Sequence, residues 1–208
     1  MSFLETCQKS LLKNNFNCEI AENVVEASTI IKNIIMDIKP QTVSYGDSET
    51  LKSTGILEYC KTCSDFTFID TFNPDESFKE QLVRKKEALT VDLFLTGTNA
   101  VTLDGILVNL DMIGNRIGGI TFGPKKVILT VSLNKIVQDL DAAFKKVREY
   151  TAPKNAVRHP DLKTPCITMN KCMNCSSPRR ICNSWSIIEK SYPKGRITVI
   201  IIKDELGI

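Results

Sequence analysis

The chain has 208 residues, 42% hydrophobic and 25% charged, with a formal net charge of +3. That balance suits a globular protein with one sizeable core and argues against disorder, since apolar residues are spread along the whole length. The longest apolar runs, such as residues 199–202, are far too short to cross a membrane. Glu5, Lys9 and Lys13 also break up the start of the chain, unlike a signal peptide. A single domain over residues 1–208 in the cytoplasm is therefore expected. Residues 151–208 carry ten Lys/Arg against four Asp/Glu, a net +6, which leaves −3 on residues 1–150. Those basic residues are scattered, with only Trp185 and Tyr192 as aromatics among them, so neither nucleic acid nor a membrane is an expected partner.

Phe3, Leu4, Cys7, Leu11 and Leu12 recur at helical spacing, and a short strand follows near residues 17–20. Val24, Ala27, Ile31, Ile34, Ile35 and Ile38 mark a second amphipathic helix, ended by Pro40. Residues 42–45 read as a strand, 46–48 as a turn, and 48–60 as a helix weakened by Gly55. A strand at 66–69, a helix at 76–89 and an apolar strand at 91–96 come next. This alternation predicts an α/β fold built on a mostly parallel sheet covered on both faces. Beyond Asn99 the pattern changes. Residues 100–103 and 106–110 flank Asp104-Gly105, a strong hairpin signal. Residues 114–122 suggest a short helix and 126–131 a buried strand. Ile136, Leu140, Ala143, Phe144 and Val147 predict a long helix. Residues 151–176, with Pro153, Pro160 and Pro165, read as irregular. Ser177-Pro178 predicts a helix to about Lys190, so that 151–190 forms a Cys-rich loop and helix, and residues 197–203 close the chain as a strand.

Three groups of residues can carry chemistry. The first is the turn Gly46, Asp47, Ser48 between a strand and a helix. In open parallel sheets ligands bind beyond the carboxyl ends of the strands, although a plain helix cap explains the same residues. Lys135, after the 126–131 strand, holds an equivalent position. The second group lies in the polar stretch 96–116, where Asn99, Asn115 and Arg116 can hold a carboxylate or phosphate and Asp104 is the candidate catalytic base; turn chemistry is the competing explanation. The third is PCITMNKCMNCSSPRRICN, which places Cys166, Cys172, Cys175 and Cys182 in a C-x5-C-x2-C-x6-C pattern. Eight cysteines in a cytosolic chain argue against a disulfide framework. The spacing matches neither the bacterial ferredoxin run nor the paired CxxC of a zinc ribbon. A C-x2-C knuckle completed by two more cysteines can still hold zinc or an iron–sulfur cluster, with packed reduced thiols or a redox pair as alternatives. Glycine-rich dinucleotide and nucleoside-triphosphate motifs are absent, so no nicotinamide or flavin signature is present, and the lone His159 has no triad context.

The runs GDSETLKSTGILEYC, NAVTLDGILVNLDMIGNRIGGITFGPKKVILTVSLNKIV, APKNAVR, PCITMNKCMNCSSPRRICN and DELGI together resemble the LUD, or lactate-utilisation, domain family. The chain is similar to a short stand-alone member with a C-terminal cysteine segment. The resemblance implies a Rossmann-like parallel sheet with helices on both faces, similar to the sugar-phosphate isomerase and coenzyme A transferase class. It also implies a part in bacterial oxidation of L-lactate to pyruvate beside iron–sulfur oxidoreductase subunits. In fused members an acidic residue falls where Leu103 stands here, which leaves Asp104 as the nearest carboxylate. The leading expectation is thus a component of L-lactate, or 2-hydroxy acid, utilisation; the alternative is a stand-alone protein for a small phosphorylated or coenzyme A-linked substrate. A small anionic metabolite, iron–sulfur subunits and a second copy of the chain are the partners to consider.

Overall fold

The structure, a computed structural model, describes residues 2–208. Its strands are β1 (Asn17–Ala21), β2 (Thr42–Tyr45), β3 (Thr67–Ile69), β4 (Leu93–Gly97), β5 (Ala100–Thr102), β6 (Leu107–Asp111), β7 (Lys126–Ser132), β8 (Ile136–Val137), β9 (Ser184–Ile188) and β10 (Ile197–Ile202). The helices are α1 (Phe3–Lys13), α2 (Val24–Ile38), α3 (Glu49–Ser53), α4 (Ile56–Thr62), α5 (Phe78–Glu87), α6 (Asn115–Thr121), α7 (Leu140–Lys145), α8 (Ala152–Val157) and α9 (Pro165–Met169). None is long and apolar enough to cross a membrane.

Six strands form a parallel sheet in the order β1-β10-β7-β4-β2-β3. Side chains alternate between faces along a strand, so β7 and β10 each feed two cores. Val127, Leu129, Val131, Val199 and Ile201 join Cys7 and Leu11 of α1 on one face. Ile128, Ile200 and Ile202 meet Ala27, Ile31 and Ile35 of α2 on the other. All six residues of β10 are buried, as a central parallel strand covered on both sides requires. Each large side chain so buried contributes about 1.5–3 kcal/mol. The helices start where side chains supply caps: Ser2 and Glu5 form a capping box on α1, Ser77 and Glu80 one on α5, and Asn23 caps α2. Gly55, at φ +69°, splits the expected 48–60 helix into α3 and α4.

A smaller sheet, ordered β8-β5-β6-β9, sits beyond β4. The Asp104-Gly105 hairpin forms as the sequence predicts, with β5 antiparallel to β6. Gly105 is required there twice over: its φ is +76°, and a Cβ would stand 2.7 Å from the backbone of Ser10 and Leu11. One face of this sheet, through Ala100, Val108 and Leu110, packs on Ala143 and Val147.

Three expectations are corrected here. Residues 177–190 do not form a helix: Ser177 starts a turn closed by Arg180 N–H to Ser177 O at 3.1 Å, and 184–188 become β9. The edge of β6 decides this, because Leu110 and Asn109 pair with Trp185 and Ser186, and Trp185 packs edge-on against Phe144 at 5.0 Å. The 136–147 helix begins later, since Ile136 and Val137 extend the small sheet as β8 alongside Val101 and Thr102. It then runs from α7 through a wide π-helical stretch, residues 146–151, into α8. Pro153 lacks the N–H that a regular turn needs, and the wide turn precedes it. Residues 151–176 are consequently less irregular than expected, holding both α8 and α9.

Candidate functional site

The carboxyl ends of β2, β4 and β7 open onto a cavity of about 680 Å³. The turn after β2 supplies Asp47, Ser48 and Glu49 to its wall, the end of β4 supplies Gly97, Thr98 and Asn99, and the turn after β7 supplies Lys135. Leu110 and Asp111 at the end of β6, with Asn115 and Arg116 of α6, form a second wall. Lys85 of α5 enters beside Phe72, while Asn155, Arg158, His159, Arg179 and Ile181 close the remaining side. Of the binding residues expected from sequence, Asp47, Ser48, Asn99, Asn115, Arg116 and Lys135 all line this one space.

Gly46 stands just behind the wall. A Cβ there would lie 2.9 Å from Thr96 Oγ1 and 3.1 Å from both Arg116 Cγ and Phe94 Cζ, so only glycine lets these groups close together. Gly97 makes room in the same way for Ser48, whose Oγ would be 2.3 Å from an added Cβ. Ser48 caps α3 by accepting from Leu51 N–H at 3.2 Å, so the plain capping role is occupied.

Arg116 is the structural hub of the second wall. Its Nε and Nη2 donate to Asp111 Oδ1 at 3.0 and 2.6 Å. Nη1 donates to Gly97 O and Asn109 Oδ1 at 3.1 and 2.9 Å, and Nη2 also reaches Asn99 Oδ1 at 2.6 Å and Leu110 O at 3.3 Å. Asp111 is held in turn by Ile117 N–H, and Asn99 Oδ1 also accepts from Leu110 N–H. A guanidinium has five N–H donors, and all are engaged within the protein. Arg116 and Asn99 therefore fasten β4 to β6 more than they offer themselves to a ligand.

Two lysines contrast with it. Lys135 is 5% exposed and donates to Thr50 Oγ1 at 2.8 Å. Lys85 donates to Thr71 O at 2.7 Å and lies 4.2 Å from the centre of the Phe72 ring. Among the described residues, neither has a carboxylate within 4.0 Å. Burial pushes Lys135 down to about 8, helped by the nearby positive charges of Arg116 and Lys146 and opposed by Glu49. Burial lowers Lys85 too. At the mouth, Asp47 pairs with Lys52 at 2.6 Å, and Arg158 bridges to Glu49 at 2.5 Å and Asp47 at 3.5 Å. Burial alone would raise the Asp47 carboxyl, but Lys52, with Arg158 adding to it, holds it below the usual range. Lys85 and Lys135 thus face the cavity without a direct ion pair among the described residues, while Asp47, Glu76 and Asp70 act on Lys85 and Glu49 on Lys135 from further away.

Asp104, the catalytic candidate from sequence, is not part of this space. It sits at the exposed hairpin tip against α1, where its carbonyl accepts from Asn14 Nδ2 at 2.7 Å. The hairpin directs its tip away from the carboxyl ends of the parallel strands, so Asp104 serves as a turn residue. Lys85 and Arg158 are not singled out as site residues in the sequence, and Asp111 only as one of the polar residues of the 96–116 stretch. Lys85 had a legible signal: it lies three residues after Leu82 and seven after Phe78, a charge on the apolar stripe of its helix.

Cys166, Cys172, Cys175 and Cys182 line a separate cleft of about 20 Å³ and are half-buried. Among the described residues, no group of three or more His, Cys, Asp or Glu side chains is placed to hold a metal ion. Cys7, Cys18 and Cys60 are buried core residues, and burial pushes each thiol up to about 12.

Comparison with known proteins supports the sequence resemblance. The chain is similar in structure to a DUF162 family protein from Deinococcus radiodurans, with 12% identity, 97% of this chain and 96% of that one covered, and a TM-score of 0.54. At that identity the likeness shows the fold alone. No curated protein matches the chain. The LUD domain model matches residues 4–202, nearly the whole chain, and the protein belongs to the LUD domain family.

Proposed function

We propose that the cavity binds a small 2-hydroxy or 2-oxo carboxylate, and that the chain serves L-lactate utilisation as a component acting with iron–sulfur oxidoreductase subunits. Membership of the LUD domain family supports the lactate setting. The observation that carries the binding reading is Lys135, a buried ammonium facing the cavity with a single hydroxyl as its hydrogen-bond partner. Holding a cation out of water without a counter-charge costs several kcal/mol, and a carboxylate ligand offsets that cost. When the lactate hydroxyl carbon becomes a ketone, its C–H and O–H bonds break; in this reading the two electrons pass to the partner subunits and the two protons to solvent.

The test is a thermal-shift series with L-lactate and pyruvate. A ligand at ten times its dissociation constant stabilises by about 1.4 kcal/mol, and that gain should vanish in Lys135→Met. Absence of any shift with 2-hydroxy and 2-oxo acids would overturn the binding reading. Turnover of L-lactate by the chain alone, with an artificial electron acceptor, would overturn the component reading.

One observation favours a second reading. A cavity of about 680 Å³ is much larger than lactate, and Lys85 lines it as a further cation in addition to Lys135. That space suits a phosphorylated or coenzyme A-linked substrate. The same series with sugar phosphates and acyl-coenzyme A separates the two: a shift with these ligands and none with lactate selects the second.

A further inference from the structure

We propose, on the carboxylate reading above, that the acid this cavity takes carries an extended apolar side chain, seated against Phe78 and the Met112-Ile113 turn. The site then binds such an acid more tightly than lactate or pyruvate. The gradient of burial along two walls carries the inference. On α5, Phe78, Gln81 and Lys85 stand at i, i+3 and i+7, so one face of the helix lines the cavity. Along that face the side chains pass from exposed through half-buried to buried: Phe78 is 71% exposed and Lys85 8%. On the second wall Leu110 and Asp111 are buried, whereas Met112 and Ile113 are exposed. Each wall thus runs from a buried charge, Lys85 or Asp111, to apolar side chains at an open rim.

Single exposed apolar residues are ordinary on a protein surface. Phe78, Met112 and Ile113 differ because they border one concave space from two separate elements. Among the described residues, none of the three joins a hydrophobic core. An apolar side chain at the mouth of a cavity leaves water only when an occupant covers it. That occupant is the side chain of the acid itself, because the lysines that attract its carboxylate line the same space. The remaining side carries Arg158 and Arg179, which places an apolar chain against α5 and the 112–113 turn instead. Length agrees. Seven residues of α-helix rise about 10 Å, which separates Phe78 from Lys85 along α5. A three-carbon acid held at the Lys85 end leaves the Phe78 end empty, whereas an alkyl chain of several carbons or a phenyl ring reaches it. The cavity, at about 680 Å³, has room for either.

The experiment titrates the full-length protein calorimetrically with pyruvate, 2-oxobutanoate, 2-oxohexanoate, 2-oxooctanoate and phenylpyruvate. Each added methylene that leaves water against the rim should tighten binding about two- to fourfold. Five methylenes separate 2-oxooctanoate from pyruvate, so its dissociation constant should be lower by about thirtyfold or more. Phe78→Ser with Ile113→Ser should flatten the series onto the value for pyruvate; both side chains are exposed, so the fold does not depend on them. Lys135→Met should weaken every acid in the series. Octan-2-one, which has the chain without the carboxylate, should not bind. If pyruvate binds and the longer acids bind no more tightly, or if the double variant keeps the wild-type slope, the rim does not serve the ligand. This proposal then falls while the carboxylate reading stands. If no acid of any length binds, or octan-2-one binds as well as the acids, the carboxylate reading is itself overturned and the proposal with it.

Discussion

Arg116 and Lys135 are both cations set against the same cavity, yet their surroundings differ in kind. Arg116 meets a carboxylate, two amide oxygens and two backbone carbonyls, and each bond ties one strand end to another. Lys135 meets one threonine hydroxyl, and the charges acting on it are two positive, Arg116 and Lys146, against one negative, Glu49. A buried charge with all its donors matched is a structural brace, while one left short of partners lowers stability and is available to a ligand. The contrast divides the cavity into a wall that holds the fold and an interior that holds a cation short of partners.

Breaking the brace should have the largest effect. Arg116→Ala leaves Asp111, whose side chain is 6% exposed, buried without its counter-charge. Loss of one partner of such a pair costs about 3–5 kcal/mol. Chemical denaturation should show that loss, and an unchanged midpoint would mean that the wall does not depend on this hub.

Lys135→Met tests the other half of the comparison, and its sign is opposite. A lysine lowered from 10.5 to about 8 is protonated in both folded and unfolded chains below pH 8, so the full penalty of burying the charge is present there. Between 8 and 10.5 the unfolded chain holds a proton that the folded chain has lost, and the penalty is relieved as pH rises. The variant should therefore be more stable than the wild type at pH 7, by about 3 kcal/mol at most, and the difference should close towards pH 10.5. Cys7, Cys18 and Cys60, raised to about 12, act in the other direction: above pH 9 the unfolded chain loses thiol protons that the folded chain keeps. Both proteins share that loss, so the difference between them is the quantity to follow. A gap that stays constant from pH 7 to 10.5 would show that Lys135 does not titrate there.

How far these roles could be read from sequence depends on how local their causes are. β4, β7 and β10 are legible because a strand covered on both faces must be largely apolar, and Gly55 and Gly105 announce a break and a turn. Lys135 and the 46–48 turn were found by topology alone, as positions just past strand ends. The wrong helix at 177–190 and the overlooked β8 share one origin. Both segments take their form from the unpaired edges of β5 and β6, which lie at least 34 residues away in the chain, and propensity carries no record of a distant edge. The sequence marks Arg116 as a cation near the strand ends but not its bracing bonds, because a sequence shows a charge without its partners.

The brace can also be strained without deleting it. Gly46→Ala adds a methyl group 3.1 Å from Arg116 Cγ and 2.9 Å from Thr96 Oγ1, in a wall with no slack. Overpacking of this kind costs about 1–3 kcal/mol. The ligand-induced thermal shift should fall as well, since Asp47 and Ser48 follow directly on Gly46 and line the cavity. A variant with wild-type stability and ligand response would show that the turn can move aside freely.

Asp104→Asn should change least, which makes it the sharpest check on where chemistry sits. The contacts that hold the hairpin tip run through the carbonyls of Asp104 and Gly105, which accept from Asn14 Nδ2 at 2.7 and 3.3 Å. The turn geometry itself is supplied by Gly105 at φ +76°. Asparagine keeps the backbone carbonyl, the size and the turn preference of aspartate, and removes only an exposed charge. Stability should stay within about 0.5 kcal/mol of wild type, the range for surface substitutions away from such features. The thermal shift with lactate, pyruvate or sugar phosphates should be unaltered, because the cavity draws its polar groups from the turns after β2 and β7, the ends of β4 and β6, α5, α6 and residues 155–161, and not from the hairpin tip. Loss of that shift in Asp104→Asn, with the fold intact, would return the carboxylate to the site and move the chemistry to the hairpin.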